Sequence, residues 1–305
     1  MKRRQKLRSI GGCVEMLMAR IPSTSILIAS IGLVIFGLCL LGIIGSSIPR
    51  LKPRGQISDG KIADFPEGTI RFHDDGRGPG VVFFLHGFNE DLEQWDPIWT
   101  ELKKCETRRI RIDIPGFGFS SWKTKDFSIE SQARRVKALV DQLGIQSVVW
   151  VGYSMGGSLA AWLTAAYPEI TQKAFLLAPS GYIGGLGHTG FYGFILSHRG
   201  LHGLAYWFAK TDIYPHIFPE SAALQALGIT DSYGVKWVEK IGKISAPVML
   251  GWSESDRISR SDTALLVQKS IKNSTLKWFP RFVGHDLLQA DSTNIAEDIC
   301  RFIHS

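Results

Sequence analysis

SVVWVGYSMGGSLAAWLTAAYPE, residues 147–169, passes from one kind of chain to another within a few positions. SVVWV (147–151) is β-branched and aromatic, as a buried strand should be. GSLAAWLTAAYPE (157–169) is rich in Ala and Leu with helical spacing. Between them lies Gly152-Tyr153-Ser154-Met155-Gly156, a G-x-S-x-G pentapeptide. A strand that becomes a helix so quickly must turn sharply, and small residues let the backbone bend without a Cβ clash. The bend would leave the Ser154 hydroxyl exposed above the sheet edge, at the N-terminus of a helix. The plainer alternative is that the small residues only let the helix pack closely on the sheet.

The pattern repeats on both sides of this stretch. TIRFHDD (69–75) alternates like a half-buried strand, and VVFFL (81–85) is a continuous apolar run suited to a strand covered on both faces. DPIWTELKK (96–104) predicts a helix with Asp96 as N-cap and Pro97 in its first turn. RRIRIDI (108–114) predicts a strand, and SIESQARRVKALVDQLG (128–144) an amphipathic helix with Ser128 or Ser131 as cap and Gly144 as its end. KAFLLA (173–178) follows as another strand. From 180 to 240 the alternation gives way to a Gly- and aromatic-rich stretch with short helical patterns. It resumes with PVMLGW (247–252), SDTALLVQKSI (261–271), TLKWF (275–279) and NIAEDICRFI (294–303). Strands alternating with helices predict an α/β fold with a mostly parallel sheet and helices on both faces. The stretch at 180–240 reads as an insertion over one end of that sheet.

A serine hydroxyl is a weak nucleophile until a base takes its proton, and histidine, with a pKa near neutrality, is the usual base. An acid then fixes the imidazole tautomer and stabilises the imidazolium. In such a sheet the partners belong on loops after the C-terminal ends of later strands. Among the histidines at 73, 86, 188, 198, 202, 216, 285 and 304, only His285 follows a late strand directly, in FVGHD. For the acid, SESDRIS (253–259) offers Asp256 and Glu254; Asp256, deeper in the loop, is preferred. Asp286 is expected to be solvated. Backbone amides suffice for an oxyanion. The candidates are Met155, at the helix start, and Phe88, in LHGFNED (85–91) after strand 81–85. His86 is expected to be buried and structural.

LHGF (85–88), DIPGFGFS (113–120), GYSMGG (152–157), the loop ending at Asp256 and the loop holding His285 occur in the order found in α/β-hydrolases, which the chain resembles over residues 65–305. The resemblance implies an eight-stranded, mostly parallel sheet, a lid inserted after the sixth strand (KAFLLA) and a Ser154–Asp256–His285 triad. The acid loop departs from the family in carrying Ser253 where relatives often have glycine.

The first fifth of the chain has a different character. ILIASIGLVIFGLCLLGIIG (26–45) lacks any charged side chain and, as a helix rising 1.5 Å per residue, would span about 30 Å, the thickness of a hydrocarbon core. The basic segment before it is long for a signal peptide, so a retained anchor over 25–48 is expected, with cleavage near the small residues Gly45, Ser46 and Ser47 as the alternative. Residues 1–24 hold six basic side chains against Glu15, which places the N-terminus in the cytoplasm and the remaining domain outside it. They supply +5 of the formal +7, so the basic pI is a topology signal and no nucleic-acid motif accompanies it. Residues 49–64, with Pro, Gly and charge, read as a linker leading into short edge strands. The four cysteines, 13, 39, 105 and 300, have no metal-ligand spacing. Cys105 and Cys300 are expected as two separate buried thiols, with a disulfide between them as the alternative. Asn273-Ser274-Thr275 is a glycosylation sequon.

The expected function is a membrane-anchored hydrolase of carboxylic esters, acting through an acyl-enzyme on Ser154 with no metal or cofactor. FYGFIL (191–196) and LAYWFAK (204–210) in the insertion either pack the lid or line an apolar acyl pocket, in keeping with a small-molecule or lipid ester substrate. An aminopeptidase-like amide hydrolase, a thioesterase and an acyltransferase share such a triad. A binding protein on the same fold, without turnover, is the alternative from another class.

Overall fold

In the computed structural model of the chain, the described residues are 59–78, 80–182, 199–211, 213, 223–231 and 233–305. The expected anchor at 25–48, the basic segment before it and FYGFIL lie outside the described residues. Among the described residues no helix is long and apolar enough to cross a membrane.

The strands are β1 (Lys61–Phe65), β2 (Gly68–Asp75), β3 (Val81–Leu85), β4 (Arg108–Ile112), β5 (Ser121–Trp122), β6 (Val148–Tyr153), β7 (Thr171–Leu177), β8 (Val248–Ser253) and β9 (Ser274–Phe279). The helices are α1 (Asp96–Trp99), α2 (Ile129–Gln142), α3 (Met155–Ala166), α4 (Arg199–Ala209), α5 (Ala223–Thr230), α6 (Val235–Ile241), α7 (Ala264–Ser270), α8 (Leu287–Ala290) and α9 (Ser292–His304). Eight strands form a continuous sheet in the order β1-β2-β4-β3-β6-β7-β8-β9, and the two-residue β5 pairs with β2 at its edge. β1, β2 and β4 pair antiparallel, whereas β4, β3, β6, β7, β8 and β9 run parallel. KAFLLA, but for Ala178, falls within β7, the sixth strand of that path in chain order. β1 begins at Lys61, so the stretch read as linker already holds the first edge strand.

β3 and β6 are buried at every position, as central strands covered on both faces must be, and this explains their unbroken apolar runs. α2 turns Ile129, Ala133, Val136, Leu139 and Val140 inward, and Ser128 caps it by accepting the Ser131 N–H. The helix expected at 96–104 is broken. Its only α-helical turn is α1, flanked by 3₁₀ turns at Leu92–Trp95 and Glu101–Cys105. Asp96 does not cap this helix; its carboxylate pairs with Arg111 of β4. Trp95 and Trp99 pack edge-on against Phe84 of β3, with centroids 5.1 and 5.3 Å away. Side-chain packing onto the sheet therefore overrides the local helical preference.

The expectation of separate thiols is overturned: Cys105, after α1, is joined to Cys300 of α9 by a disulfide, with Cα atoms 5.1 Å apart. The packing of α9 on that 3₁₀ turn brings them together, a contact no local pattern encodes. Between β7 and β8, α4 and α5 form a small apolar cluster of Tyr206, Ala209, Ala226 and Leu227, against which Phe88 packs. In LAYWFAK, Tyr206 and Ala209 thus face inward, while Leu204 and Trp207 are exposed.

Candidate active site

β6 ends at Tyr153 and α3 begins at Met155, leaving Ser154 alone to make the turn. Its φ of 54° and ψ of −115° are unusual for a residue with a side chain. Strain of this kind costs about 1–3 kcal/mol and persists only when its surroundings enforce it. Ser154 N–H donates to Leu177 O of β7 at 2.8 Å, and Ser154 O accepts from Ser158 N–H and Ser180 N–H. The glycines serve another purpose. A Cβ on Gly152 would lie 2.2 Å from Gly156 O, and one on Gly156 would lie 2.1 Å from Leu85 O. They permit close approach of α3 to β6 and β3, while the strain itself falls on Ser154.

His285 lies in the loop after β9, next to Gly284 with φ 59°. Its Nε2 is 3.1 Å from Ser154 Oγ, and its Nδ1 is 2.7 Å from Asp256 Oδ2. An ionised carboxylate only accepts, so Nδ1–H donates to Asp256 and Nε2 is left to accept the serine proton. Asp256 Oδ1 accepts Ile258 N–H at 2.9 Å and Ser259 N–H at 3.0 Å, which satisfies a carboxylate that is otherwise buried. Ser154, His285 and Asp256 thus converge from three loops. Glu254 does not join them; it is exposed and pairs with Arg281. Asp286 is exposed at the mouth of the site.

His86 is fully buried and acts on the backbone. Its Nδ1–H donates to Gly87 O at 2.7 Å, and its Nε2 accepts Ile114 N–H at 2.9 Å. In a trans peptide the C=O and the next N–H point in opposite directions. Holding Gly87 O toward His86 therefore turns Phe88 N–H the other way. Phe88 and Met155 both line the same cavity as Ser154 and His285. Met155 N–H is one of the amides at the start of α3 that lack an intrahelical partner.

Residues not singled out in the sequence also build the site. Tyr153 OH donates to the carbonyl of His285, and the two rings lie 5.1 Å apart between centroids. Burial, with lesser help from the Asp256, Asp286 and Glu90 carboxylates, pushes the Tyr153 phenol well above its ordinary pKa, so it stays a neutral donor. Ser253 Oγ–H donates to Pro280 O at 3.0 Å, and Ser255 Oγ–H donates to Arg281 O, which ties the acid loop to the histidine loop. Only the departure of Ser253 from the family's glycine hinted at this.

The cavity over Ser154 holds about 430 Å³. Phe88, Met155, Ala226, Ile229 and Ile258 supply its apolar wall, so α5 of the insertion closes one side. A serine, an imidazole and a carboxylate in this order, beside two backbone amides, can carry out acyl transfer.

The described residues have the α/β-hydrolase fold, with a serine, a histidine and an aspartate brought together at the C-terminal ends of its parallel strands. The α/β-hydrolase-fold family model matches residues 80–188. The chain is 24% identical over 263 residues to an uncharacterised hydrolase, YugF, of Bacillus subtilis (strain 168), covering 78% of this chain and 95% of that one. It is 32% identical over 122 residues, 40% of its length, to the dihydrolipoyllysine-residue acetyltransferase component of an acetoin cleaving system from Cupriavidus necator, of which it spans only 32%. Among solved structures, a bacterial membrane phospholipase A superposes with a TM-score of 0.65 at 17% identity, covering 97% of this chain and 98% of that one. Similarity at that identity speaks to the fold.

Proposed function

We propose that the protein is a membrane-anchored serine hydrolase that cleaves carboxylic esters with apolar acyl groups through an acyl-enzyme on Ser154. The observation that carries this reading is His285, whose two ring nitrogens reach Ser154 Oγ and Asp256 Oδ2 at 3.1 and 2.7 Å. His285 takes the Ser154 proton as Oγ attacks the ester carbonyl. The carbonyl oxygen, now an oxyanion, takes the Phe88 and Met155 N–H groups. Protonated His285 hands the proton to the departing alcohol, and water repeats the cycle on the acyl-enzyme. An intact proton path of this kind speaks for turnover and against a fold kept for binding alone.

The apolar wall from Phe88, Ala226, Ile229 and Ile258 supports an acyl chain as the group bound, with α5 as part of a lid. The uncharged run at 26–45 supports an anchor, and the Cys105–Cys300 disulfide supports a hydrolase domain on the oxidising, extracytoplasmic side. Labelling of the detergent-solubilised chain with a fluorophosphonate, beside Ser154→Ala, tests the nucleophile. Hydrolysis of p-nitrophenyl esters from acetate to decanoate tests the acyl pocket. The expected result is labelling lost in Ser154→Ala and kcat/KM rising with chain length. No labelling, or no preference beyond acetate, contradicts the proposal.

A further inference from the structure

The polar side chains lining the cavity differ in whether their donors are already used. Tyr153 OH is committed to His285 O. Tyr233 OH bonds Ser180 Oγ at 3.0 Å, Ser180 Oγ bonds Ser158 Oγ at 3.3 Å, the Ser158 hydroxyl donates to Ser154 O at 3.3 Å, and Thr230 Oγ1–H donates to Ala226 O at 2.7 Å within α5. Glu90 and Asp286, as carboxylates, offer only acceptors. Gln94 is different. Gly87 N–H donates to its Oε1 at 2.7 Å, which fixes which end of the carboxamide is oxygen. The nitrogen end then carries two N–H donors, for which the described residues supply no acceptor.

The turn bearing Gln94 is held from several sides. Asp113 accepts Leu92 N–H at 2.8 Å, Arg71 pairs with Glu93, and Arg111 donates to Leu92 O at 3.2 Å. Gln94 N–H itself donates to Asp91 O at 3.1 Å. The carboxamide is therefore presented in a fixed orientation beside Gly87 and Tyr153, against which it would meet any added Gly87 Cβ at 3.3 Å. A donor held so, in a cavity whose remaining wall is largely apolar, loses its water when substrate fills the site. Unless the substrate replaces that partner, leaving it unpaired costs about 1–3 kcal/mol.

We propose that Gln94 is a specificity-determining residue, donating from Nε2 to an acceptor oxygen that the substrate carries outside its scissile carbonyl. The scissile oxygen is already served by Phe88 and Met155 N–H, so the Gln94 donor selects among esters by a second oxygen function: a hydroxyl, ether or carbonyl on the alcohol or the acyl side. Simple alkyl esters strand the donor and are turned over less well. This inference rests on the reading of the site as an ester hydrolase.

The test uses two pairs of isosteric esters in which one methylene is replaced by oxygen. 2-Methoxyethyl butyrate is compared with butyl butyrate for the alcohol side, and methyl 3-methoxypropanoate with methyl pentanoate for the acyl side. For each pair the ratio of kcat/KM values is measured in wild type, Gln94→Met and Gln94→Glu. Both variants lose turnover on all esters, since they disturb the Gly87 loop or bring charge near the oxyanion, so only the ratio counts. The expected ratio is roughly tenfold larger in wild type than in Gln94→Met on one arm, a decade being the size of a single hydrogen bond to substrate. The responding arm identifies the side that carries the oxygen. Gln94→Glu, which keeps an acceptor for Gly87 N–H but has no N–H to give, is expected to lose the preference likewise, and it serves as the test if the methionine variant no longer labels with fluorophosphonate. Ratios unchanged by substitution on both arms overturn the assignment of Gln94 and leave the hydrolase reading intact. A wild type that hydrolyses none of the four esters overturns both.

Discussion

Ser154 holds a backbone conformation that glycine adopts with less strain, and the proposed chemistry at its hydroxyl gives a reason for the strain. With φ at 54°, its Cβ is in the region that side chains avoid. Ser154→Ala keeps that Cβ and removes only the hydroxyl, the proposed nucleophile, whereas Ser154→Gly removes both. The glycine variant gains the relieved strain and loses a smaller amount to a more flexible unfolded chain. It is expected to be about 1 kcal/mol more stable than the alanine variant, a Tm roughly 2–4 °C higher for a domain of this size, while neither labels with fluorophosphonate. Scanning calorimetry on the pair decides it; an alanine variant as stable as the glycine one removes the claim of strain. The convergence of Ser154, His285 and Asp256 was legible in the sequence because each sits on a loop just after a recognisable strand. Tyr153 was not. It is the variable position of G-x-S-x-G, and its role depends on a carbonyl 132 residues away. No local pattern carries that information.

The elements divide in the same way. β3 and β6 declare themselves by unbroken apolar runs, and α2 by its periodic buried face and its capping serine. The stretch after Asp96 looked equally regular, yet Trp95 and Trp99 turn to meet Phe84, Asp96 turns to Arg111, and a single α-turn remains. Tertiary packing decides such short helices, whose intrinsic stability is marginal. The same dependence on partners governs the loops after β8 and β9. Fully buried Ser253 bonds to Pro280 O, so the acid and histidine loops are set as one unit. Ser253→Ala leaves that carbonyl with only the Val283 N–H at 3.1 Å, loosens the tie between the two loops and lets His285 shift relative to Ser154. The expected effect is a fall in kcat of roughly tenfold, about 1.4 kcal/mol of transition-state stabilisation, with KM little changed. A rise in KM at constant kcat would show instead that Ser253 acts on substrate binding.

At the scale of the whole molecule, the Cys105–Cys300 bridge and the N-terminal charge bear on one part of the proposal: on which side of a membrane an anchored chain would hold the site. The bridge links the turn after α1 to α9 across 195 positions of sequence. Closing so long a loop restricts the unfolded chain, and bridges of this kind contribute about 2–5 kcal/mol. Cys105→Ser and Cys300→Ser are expected to lower stability by similar amounts in that range, and the double variant by no more than either single one, because each already breaks the same bond. Structural bridges persist chiefly in oxidising compartments, which agrees with the proposed orientation, in which the positive segment at 1–24 stays in the cytoplasm. Under the proposed orientation, protein taken from its native host and denatured without reductant should therefore expose two of its four thiols, Cys13 and Cys39, and all four after reduction. A phosphatase that needs an oxidising environment, fused at the C-terminus, should be active. Four free thiols and a silent fusion would place the domain on the reducing side and reverse the proposed orientation, while the chemistry proposed at Ser154 would stand unaltered.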